Sequence, residues 1–412
     1  MVDNRTIVIA GAGLAGAKAA ETLREEGFGG RVVLLGEETE RPYERPPLSK
    51  GLLLGTADRN EPYVHEAGWY AEHDVELRTG TTVTAIDRAG HEVRIQDGST
   101  IGYDKLLIAT GATPRGLPVP GTDLGGVLQL RTFADSDRIA ATVHAGTRLV
   151  VVGAGWIGLE VAAAARERGA TVTVVETAAL PLLNVLGDRL ADVFAGLHRE
   201  HGVDFRFGTQ VQALAGDGTV SRVRLSDGTA LDADAALIAV GVTPNIGLAA
   251  DAGLAVDNGI LVDGHLRTGD PDVYAAGDVA NIDHPLLGAR IRVEHWDTAL
   301  NTGPYAARAM LGQDVSYDRL PYFFTDQYDL GMEYAGWVPP GTKADVVIRG
   351  DLGRREFIAF WLVDGRVAAG MNVNIWDVTD AIQDLVRAGL AGTTVDPDRL
   401  ADPSVPLSEL TR

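Results

Sequence analysis

The alternation of apolar and polar positions at the start of the chain predicts a strand, a glycine turn, a helix and a second strand. The stretch RTIVIAGAGLAGAKAAETLREEG begins with β-branched residues and passes through glycines into an alanine-rich segment of helical character. A second apolar run, RVVLLGEE, follows and ends in acidic residues. The opening segment therefore indicates a βαβ unit.

The same order of elements returns near the middle of the chain. The stretch RLVVVGAGWIGLEVAAAARERGATVTVVE again predicts strand, glycine turn, helix and strand, and it ends at Glu176. An I-A-x-G-x-T-P frame closes both segments, as LLIATGATP over residues 106–114 and ALIAVGVTPN over residues 236–245. This repetition indicates two nucleotide-binding units of about 110 to 130 residues each.

The architecture is predicted to change towards the end of the chain. A third apolar strand is expected in DVYAAGDVA and a helix over residues 296–312. Beyond them come alternating runs such as ADVVIRG and EFIAFWLVDGRVAAGMNV, and the second includes an Asp-Gly pair, which favours a hairpin turn. We predict a small antiparallel sheet closed by a helix near residues 378–388.

Composition and charge exclude several classes of function. The 412 residues exceed the roughly 250–300 residues of one hydrophobic core, so two or three domains are expected. A formal charge of −21 argues against nucleic acid and membrane surfaces as partners. Because cysteine is absent, disulfides, thiol nucleophiles and cysteine-ligated metals are excluded. We expect a cytoplasmic protein without a metal site, since histidines lack ligand spacing and no long apolar run or cationic leader occurs.

The first glycine motif, GAGLAG, predicts a site for a dinucleotide. Gly11 allows the tight turn, Gly13 lets the backbone approach a pyrophosphate, and Gly16 lets the helix pack closely on the strand. An acidic residue, Glu37, follows Gly16 after 21 positions and would accept hydrogen bonds from the adenosine ribose. The neighbouring acids, at positions 38 and 40, leave open which residue has that role.

The second motif, GAGWIG, predicts a second dinucleotide site with Gly153, Gly155 and Gly158 in the same three roles. Its acid, Glu176, follows Gly158 after 18 positions. A carboxylate suits the 2′-hydroxyl of NAD and repels the 2′-phosphate of NADP, at a cost on the order of several kcal/mol. No arginine follows Glu176 directly, so the sequence favours NADH over NADPH.

A third signal lies in RTGDPDVYAAGD, where Gly277 and Asp278 end an apolar strand. Such a pair is often only a strand-to-helix cap. After two dinucleotide units, we interpret Asp278 as an acceptor for a polyol such as a ribityl chain. Among the histidines, His295 is the one predicted to lie near a ligand.

Seven motifs in order, GAGLAG, RPPLSK, IATGATP, GAGWIGLE, TGDPDVYAAGD, EHWDTALNTG and PYFFTDQYD, carry a family resemblance along nearly the whole chain. The chain resembles the FAD- and NADH-dependent ferredoxin reductases of the putidaredoxin reductase type, which include rubredoxin reductases and the reductase components of Rieske dioxygenases. The resemblance implies an α/β, glutathione-reductase-like fold with two Rossmann-type dinucleotide-binding domains and a C-terminal α/β domain. It assigns residues 1–115 and 246–320 to a split FAD domain, 116–245 to an NAD domain, and 321–412 to a flavin-covering domain.

The resemblance also assigns residues to the two cofactors by their position in these motifs. The residues that would line the FAD site are Leu14, Ala15, Glu37, Lys50, Val83, Arg131, Asp278 and Trp296. The residues that would line the NAD site are Gly153, Gly155, Ile157, Gly158, Glu160, Glu176 and Gly241. The further predicted cofactor-binding residues are Gly11, Gly13, Gly16, Arg45, Ala109, Thr110, Gly111, Gly277, Glu294, His295 and Phe324.

The stiff loop RPPLSK carries one of only four lysines in the chain, and the resemblance implies why. In relatives this lysine lies under the isoalloxazine ring and pairs with a glutamate of the second motif, here Lys50 with Glu160. The adjacent prolines restrict the loop and so reduce the entropy lost in placing the cation. Lys50 and Glu160 are the predicted catalytic residues, because a fixed positive charge would stabilise the flavin as it becomes reduced.

The implied activity is transfer of electrons from NADH through FAD to a [2Fe-2S] ferredoxin that serves a cytochrome P450 or a Rieske oxygenase. Two alternatives remain open: an NADH oxidase or quinone or dye reductase without a protein partner, and a non-enzymatic FAD-binding interaction protein. We expect a monomer or weak homodimer. Surface arginines would have to receive an acidic ferredoxin, and the candidates are Arg290, Arg292 and Arg308, then Arg354 and Arg355. Many relatives have tryptophans where this chain has Tyr322, Phe323 and Phe324.

Overall fold

The computed structural model describes residues 3–410 and contains the predicted opening βαβ unit. The strands of this first segment are β1 (Thr6–Ala10), β2 (Arg31–Leu35), β3 (Val75–Arg78), β4 (Val83–Asp87), β5 (Glu92–Ile95), β6 (Thr100–Gly102), β7 (Lys105–Ile108) and β8 (Ala112–Pro114). Its helices are α1 (Leu14–Glu25), α2 (Gly51–Leu54) and α3 (Trp69–Glu72), with a 3-10 turn at Pro46–Ser49.

The second segment repeats this layout, as predicted. Its strands are β9 (Val127–Leu128), β10 (Arg148–Val152), β11 (Thr171–Glu176), β12 (Asp204–Phe207), β13 (Val211–Asp217), β14 (Thr219–Leu225), β15 (Ala230–Asp232), β16 (Ala235–Ile238) and β17 (Val242–Pro244). Its helices are α4 (Phe133–Thr142), α5 (Trp156–Glu167), α6 (Leu183–Leu186) and α7 (Asp188–Glu200). Each segment includes a three-stranded antiparallel meander, β4-β5-β6 in the first and β13-β14-β15 in the second.

The chain then returns to the first segment. This third part contains the helix α8 (Gly247–Asp251), the strands β18 (Val256–Asp257), β19 (Gly259–Val262), β20 (Val273–Ala275), β21 (Ala280–His284) and β22 (Ala289–Ile291), a 3-10 turn at Gly277–Val279, and the helix α9 (Trp296–Met310). Strand β20 pairs in parallel with β7 and completes a five-stranded parallel sheet in the order β20-β7-β1-β2-β3. The predicted strand and helix of this part are confirmed.

Two parallel sheets form the centres of the two repeated units. The second has the order β12-β11-β10-β16-β9, and every pairing in it is parallel. In each sheet the strand before the glycine motif, β1 or β10, lies between the strand that follows its helix and a strand from later in the chain. Such a reversal of strand order leaves a crevice at the carboxyl ends, where open α/β sheets bind their ligands.

The repeated I-A-x-G-x-T-P frames meet each other in space. Strand β8 pairs antiparallel with β17, so that Thr113 lies opposite Thr243 and Ala112 opposite Pro244. Strands β8 and β17, where the chain enters and leaves the second segment, therefore form one two-stranded ribbon. The predicted domain boundaries, after residues 115 and 245, lie at this ribbon and stay a prediction.

The last part is the predicted antiparallel sheet with a closing helix. Its strands are β23 (Tyr322–Gln327), β24 (Leu330–Gly336), β25 (Asp345–Asp351), β26 (Glu356–Val363) and β27 (Arg366–Val373), in the order β23-β24-β27-β26-β25. The helix α10 (Thr379–Leu390) covers the sheet, and α11 (Pro397–Ala401) and a 3-10 turn at Leu407–Glu409 follow. The β26–β27 hairpin turns through Asp364 and Gly365, both with positive φ, as an Asp-Gly hairpin requires.

One hydrophobic cluster joins three parts of the molecule around the second glycine motif. It contains Leu48 of the RPPLSK loop, Leu159 of α5, Phe194 of α7 and Met332 of β24, all buried. The loop is therefore packed between the second unit and the C-terminal sheet rather than projecting into solvent. Over residues 3–410, no helix combines the length and the apolar character needed to cross a bilayer.

Candidate active site

The first glycine motif has three distinct local environments. At Gly11, where φ is +121°, a Cβ atom would lie 2.1 Å from the carbonyl oxygen of Ala109, and at Gly16 it would lie 2.1 Å from that of Gly11. At Gly13 a Cβ would meet no atom within 4 Å. The outer glycines are thus required by the fold itself, whereas the middle one borders open space. This arrangement fits a pyrophosphate at the N-terminus of α1.

The second motif has the same geometry. A Cβ at Gly153 (φ +101°) would lie 2.4 Å from the carbonyl oxygen of Ala239, and one at Gly158 would lie 2.2 Å from that of Gly153. At Gly155 nothing lies within 4 Å. The residues present therefore fit two dinucleotides, one at each crevice, and an acidic strand end suits a dinucleotide with a free ribose 2′-hydroxyl, as FAD and NAD both have.

The three acids after β2 differ in their ion-pair and hydrogen-bond partners. Glu38 is paired with Arg45 at 2.8 Å, and Glu40 accepts a hydrogen bond from the Tyr63 hydroxyl at 2.5 Å. Glu37 is exposed and makes no ion pair within the described part of the chain. Of the three acids that the sequence left open, Glu37 is the one whose carboxylate is available to a ribose.

Glu176 is built into the second glycine turn. Its carboxylate accepts hydrogen bonds from the backbone N–H of Ala154 at 2.8 Å and of Ala178 at 2.9 Å. The first of these bonds ties the end of β11 to the turn between Gly153 and Gly155. The acid therefore lies at the end of β11, beside the second glycine turn, and its role towards a ribose stays a prediction.

A chain of charged groups crosses the first crevice. Arg131 is paired with Asp278 at 2.8 Å, and the guanidinium of Arg45 donates to the carbonyl oxygen of Arg131. A Cβ at Gly111 would lie 3.2 Å from the Arg131 guanidinium, so this glycine leaves room for the arginine. Thr110 donates to the carbonyl oxygen of Asn245 and thereby links the segment before β8 to the segment after β17. The structure brings these predicted residues together.

The predicted pair of Lys50 and Glu160 is present. The Nζ of Lys50 lies 2.8 Å from the carboxylate of Glu160, and only 20% and 7% of these side chains are exposed. The 3-10 turn with Pro46 and Pro47 at its start ends just before Lys50 and sets the backbone of this loop. The pair joins the first segment to α5 of the second.

Aromatic residues and a histidine surround the lysine. The Nζ of Lys50 lies 5.5 Å from the centre of the Phe324 ring, within cation–π range, and Phe324 meets Trp296 edge to face at 5.9 Å. His295 caps the N-terminus of α9 by accepting from the backbone N–H of Asp297. Burial lowers the pKa of His295 to about 4, which keeps its imidazole neutral at pH 7.

The other residues predicted to bind a cofactor differ in their exposure and contacts. Leu14, Ala15 and Val83 are buried, Gly241 lies between β16 and β17, and Ile157 at the start of α5 is 41% exposed. Glu294 is exposed and is paired with Arg292 at 2.5 Å. Gly277 donates from its backbone N–H to the hydroxyl of Thr302 on α9, which fixes the turn that carries Asp278.

The predicted docking arginines are engaged within the chain. The side chain of Arg292 is only 5% exposed, so the expectation that it receives a partner is wrong. Arg308 is paired with Glu26, and Arg355 is paired with a glutamate on α7. Arg290 donates to two backbone carbonyls. Arg354, 78% exposed, and Arg290, 37% exposed, are the more open of these five, and each lies near an aspartate, at 3.8 and 3.9 Å.

The sequence interpretation missed two partners of Glu160. The hydroxyl of Ser49 donates to one carboxylate oxygen at 2.5 Å, and that of Thr325 donates to the other at 2.6 Å. Ser49 precedes the lysine in its own motif, so its position was a usable signal. Thr325 lies 165 positions from Glu160 in the chain, and no local pattern indicates that they meet. Throughout residues 3–410, no cluster of three His, Asp or Glu side chains is placed to hold a metal ion.

Comparison with known proteins gives the family. The model for pyridine nucleotide-disulphide oxidoreductases matches residues 5–303, and a reductase C-terminal model matches residues 322–411. The chain belongs to the pyridine nucleotide-disulphide oxidoreductases. Its lack of cysteine sets it apart from the disulfide chemistry in that name.

Individual relatives are similar over their full length. The ferredoxin–NAD(+) reductase component of the anthranilate 1,2-dioxygenase system of Burkholderia cepacia is 41% identical, with 97% of this chain and 98% of the relative covered. Putidaredoxin reductase of Pseudomonas putida is 37% identical, with 100% and 97% covered. A crystal structure of the covalent complex of putidaredoxin reductase and putidaredoxin matches with a TM-score of 0.93 at 37% identity, covering 99% of this chain and 98% of that one.

Two buried or partly buried histidines predict how stability depends on pH. Burial lowers the pKa of both His198 and His295 to about 4, below the ordinary value of 6.5. Between these pH values the unfolded chain binds more protons, so the free energy of unfolding should fall as pH drops from about 6.5 towards 4, by up to about 1.4 kcal/mol per pH unit for each histidine. Denaturant unfolding at pH 7.5, 6 and 5 measures this slope, and His198→Asn should reduce it. Equal slopes in the two proteins would contradict the assignment.

Proposed function

We propose that the chain is a cytoplasmic NADH:ferredoxin oxidoreductase that binds FAD and NAD and reduces a [2Fe-2S] ferredoxin serving a cytochrome P450 or a Rieske oxygenase. One observation carries the proposal: a chain without cysteine is similar along its whole length to proteins named as ferredoxin or putidaredoxin reductases. Thiol–disulfide exchange needs a thiolate. The two electrons taken from NADH must therefore pass to an acceptor other than a disulfide, and the relatives are named as reductases of a ferredoxin or of putidaredoxin.

The chain's own residues would supply placement and charge. FAD, when bound, supplies the conversion between two-electron and one-electron transfer that links NADH to an iron–sulfur centre. Lys50 would hold a positive charge beside the ring, and Glu160 would fix that charge through the 2.8 Å contact. Asp278 and Glu37 would accept hydrogen bonds from the sugar-like parts of the cofactor, and Glu176 would accept from the ribose of NAD.

Ferredoxin dependence separates this function from its alternatives. We expect NADH-driven reduction of cytochrome c by the FAD-loaded protein to be slow alone and to rise at least tenfold when a [2Fe-2S] ferredoxin is added. Equal rates with and without ferredoxin would favour an NADH oxidase or dye reductase. A flavin that neither NADH nor NADPH reduces would favour a non-enzymatic FAD-binding protein.

The choice of nicotinamide should depend on Glu176. Replacing it by glutamine removes the charge that repels a 2′-phosphate and one of the oxygens that accept from the turn. We expect NADH binding to weaken about tenfold, as for loss of a charged hydrogen bond, and the preference over NADPH to fall by a similar factor. The comparison variant is Thr177→Val, which removes the hydroxyl that donates to Glu176 Oε1 at 2.9 Å but leaves the charge of Glu176 in place, so it should keep the preference for NADH. An unchanged ratio of the two dissociation constants in Glu176→Gln would contradict this role.

A further inference from the structure

A buried row of hydrogen bonds continues from Glu160 of α5 through strand β23 to α7. The hydroxyl of Thr325 donates to Glu160 at 2.6 Å, and the side-chain amide of Gln327 donates to that hydroxyl at 3.2 Å. The Nε2 atom of His198 lies 2.8 Å from the Oε1 atom of Gln327. All four side chains are at least 93% buried. The row therefore lies out of water over its whole length.

The direction of this row is fixed by Glu160. Both oxygens of an ionised carboxylate can only accept, so the hydroxyl proton of Thr325 must point to Glu160. The Thr325 oxygen then accepts from the amide nitrogen of Gln327, which leaves the amide oxygen facing His198. His198 must accordingly carry its proton on Nε2. Every hydrogen bond in the row donates towards the carboxylate.

The state of His198 agrees with this direction. Burial lowers the pKa of His198 to about 4, so the ring is neutral and holds one proton. Its other nitrogen, Nδ1, is buried and has no partner among the described residues. An unprotonated Nδ1 leaves a lone pair unpaired, whereas the opposite tautomer would bury an unpaired N–H and place two acceptors against each other.

Strand β23 gives the row its geometry. Thr325 and Gln327 are two residues apart and face the same side of the strand, towards Glu160 and His198, while Phe324 faces the lysine. At the tip of the hairpin, the ring of Tyr328 stacks at 3.7 Å on His201, the residue that follows α7. The C-terminal end of the strand is thus held near the end of α7, and Thr325, two residues before that end, meets Glu160 of α5.

We propose that Thr325, Gln327 and His198 are positioning residues that hold Glu160, and through it Lys50, for reduction of the flavin by NADH. The inference rests on the proposed function for the step that it affects. A hydrogen bond to Oε1 leaves Oε2 to Lys50 and Ser49, so the carboxylate keeps one orientation and the ammonium keeps one place. Neither Thr325 nor Gln327 needs to contact either cofactor for this role.

Rapid mixing of the FAD-loaded protein with NADH, without oxygen, tests the role. We expect Thr325→Val to lower the limiting rate of flavin reduction about tenfold and to leave the dissociation constant of NADH within twofold, because a charged hydrogen bond is lost away from the nucleotide. Thr325→Ser keeps the hydroxyl and should restore the rate to within about twofold. Gln327→Leu should lower the rate by a smaller factor. Tyr328→Phe, the matched control in the same hairpin, removes a buried hydroxyl outside the row and should leave the rate unchanged.

Nitrogen NMR of histidine-labelled protein tests the row independently of activity. The signal of His198, identified by its loss in His198→Asn, should show a neutral ring protonated on Nε2 at pH 7. A charged ring or the Nδ1–H tautomer would overturn the inference, as would a Thr325→Ser rate as low as that of Thr325→Val. If Thr325→Val does not retain FAD, a wild-type rate in Gln327→Leu overturns it. A wild-type flavin that NADH leaves oxidised overturns the proposed function instead, and the tautomer still decides whether the row is directed at Glu160.

Discussion

Replacing Lys50 by methionine is expected to lower the free energy of unfolding by about 3 kcal/mol, the cost of leaving a buried charge without its partner. We place the loss at the lower end of the range because a fifth of the lysine side chain remains exposed, with Ser49 and Thr325 still donating to Glu160. The limiting rate of flavin reduction should fall at least about 100-fold, as when one fixed electrostatic group is removed from an active site. Denaturant unfolding and rapid mixing with NADH measure the two effects.

A double-mutant cycle separates the charge from the packing. Glu160→Gln leaves an unpaired ammonium and should also be destabilised, whereas Lys50→Met combined with Glu160→Gln removes both charges and should regain about 2 kcal/mol relative to the sum of the single changes. The rate should not recover in the double variant, because no cation remains beside the ring. Additive losses of stability, or a double variant as fast as the wild type, would contradict the account of this pair.

Two alanine substitutions in the second glycine motif should have opposite signatures. Gly155→Ala places a Cβ where the structure has no atom within 4 Å, so it should change the free energy of unfolding by less than about 1 kcal/mol. The same Cβ lies where a pyrophosphate would approach, and NADH binding should weaken about 100-fold. The yellow, FAD-loaded protein should otherwise be unchanged.

Gly158→Ala should instead damage the fold. Its Cβ would lie 2.2 Å from the backbone oxygen of Gly153, which can be relieved only by moving α5 away from the turn. Overpacking of this kind costs about 1–3 kcal/mol. Unfolding curves and NADH titrations of both variants provide the comparison. A stable Gly158→Ala protein, or a Gly155→Ala protein that binds NADH normally, would contradict the roles assigned to these glycines.

The fold could be predicted from local patterns to an unusual extent. The strand–glycine–helix–strand order specifies both parallel units, since Gly11 and Gly153 have φ values that only glycine adopts easily. The repeated I-A-x-G-x-T-P frames indicated equivalent strands, and the structure pairs them with each other as β8 and β17. Alternation and an Asp-Gly pair were enough for the C-terminal sheet.

The contents of the site were harder to predict because they depend on long-range contacts. Thr325, Gln327 and His198 come from a strand and a helix of different parts, and no spacing in the sequence relates them to Glu160. The ion-pair partner of a surface charge likewise cannot be predicted from the residues next to it in the sequence. Arg292 stands in the alternating run ARIRVEH, which predicts an exposed face for the arginines, yet its guanidinium is buried against Glu294. Glu37 could be chosen over Glu38 and Glu40 only because the structure shows Glu38 in an ion pair and Glu40 in a hydrogen bond.

The most direct test of the central claim is to mix the FAD-loaded protein with NADH and an oxidised [2Fe-2S] ferredoxin without oxygen and to follow the iron–sulfur absorbance. We predict that one NADH reduces two ferredoxins, that NADPH supports this far more slowly, and that Lys50→Met slows it with NADH. Ferredoxin that stays oxidised while NADH reduces the flavin would contradict the proposed function.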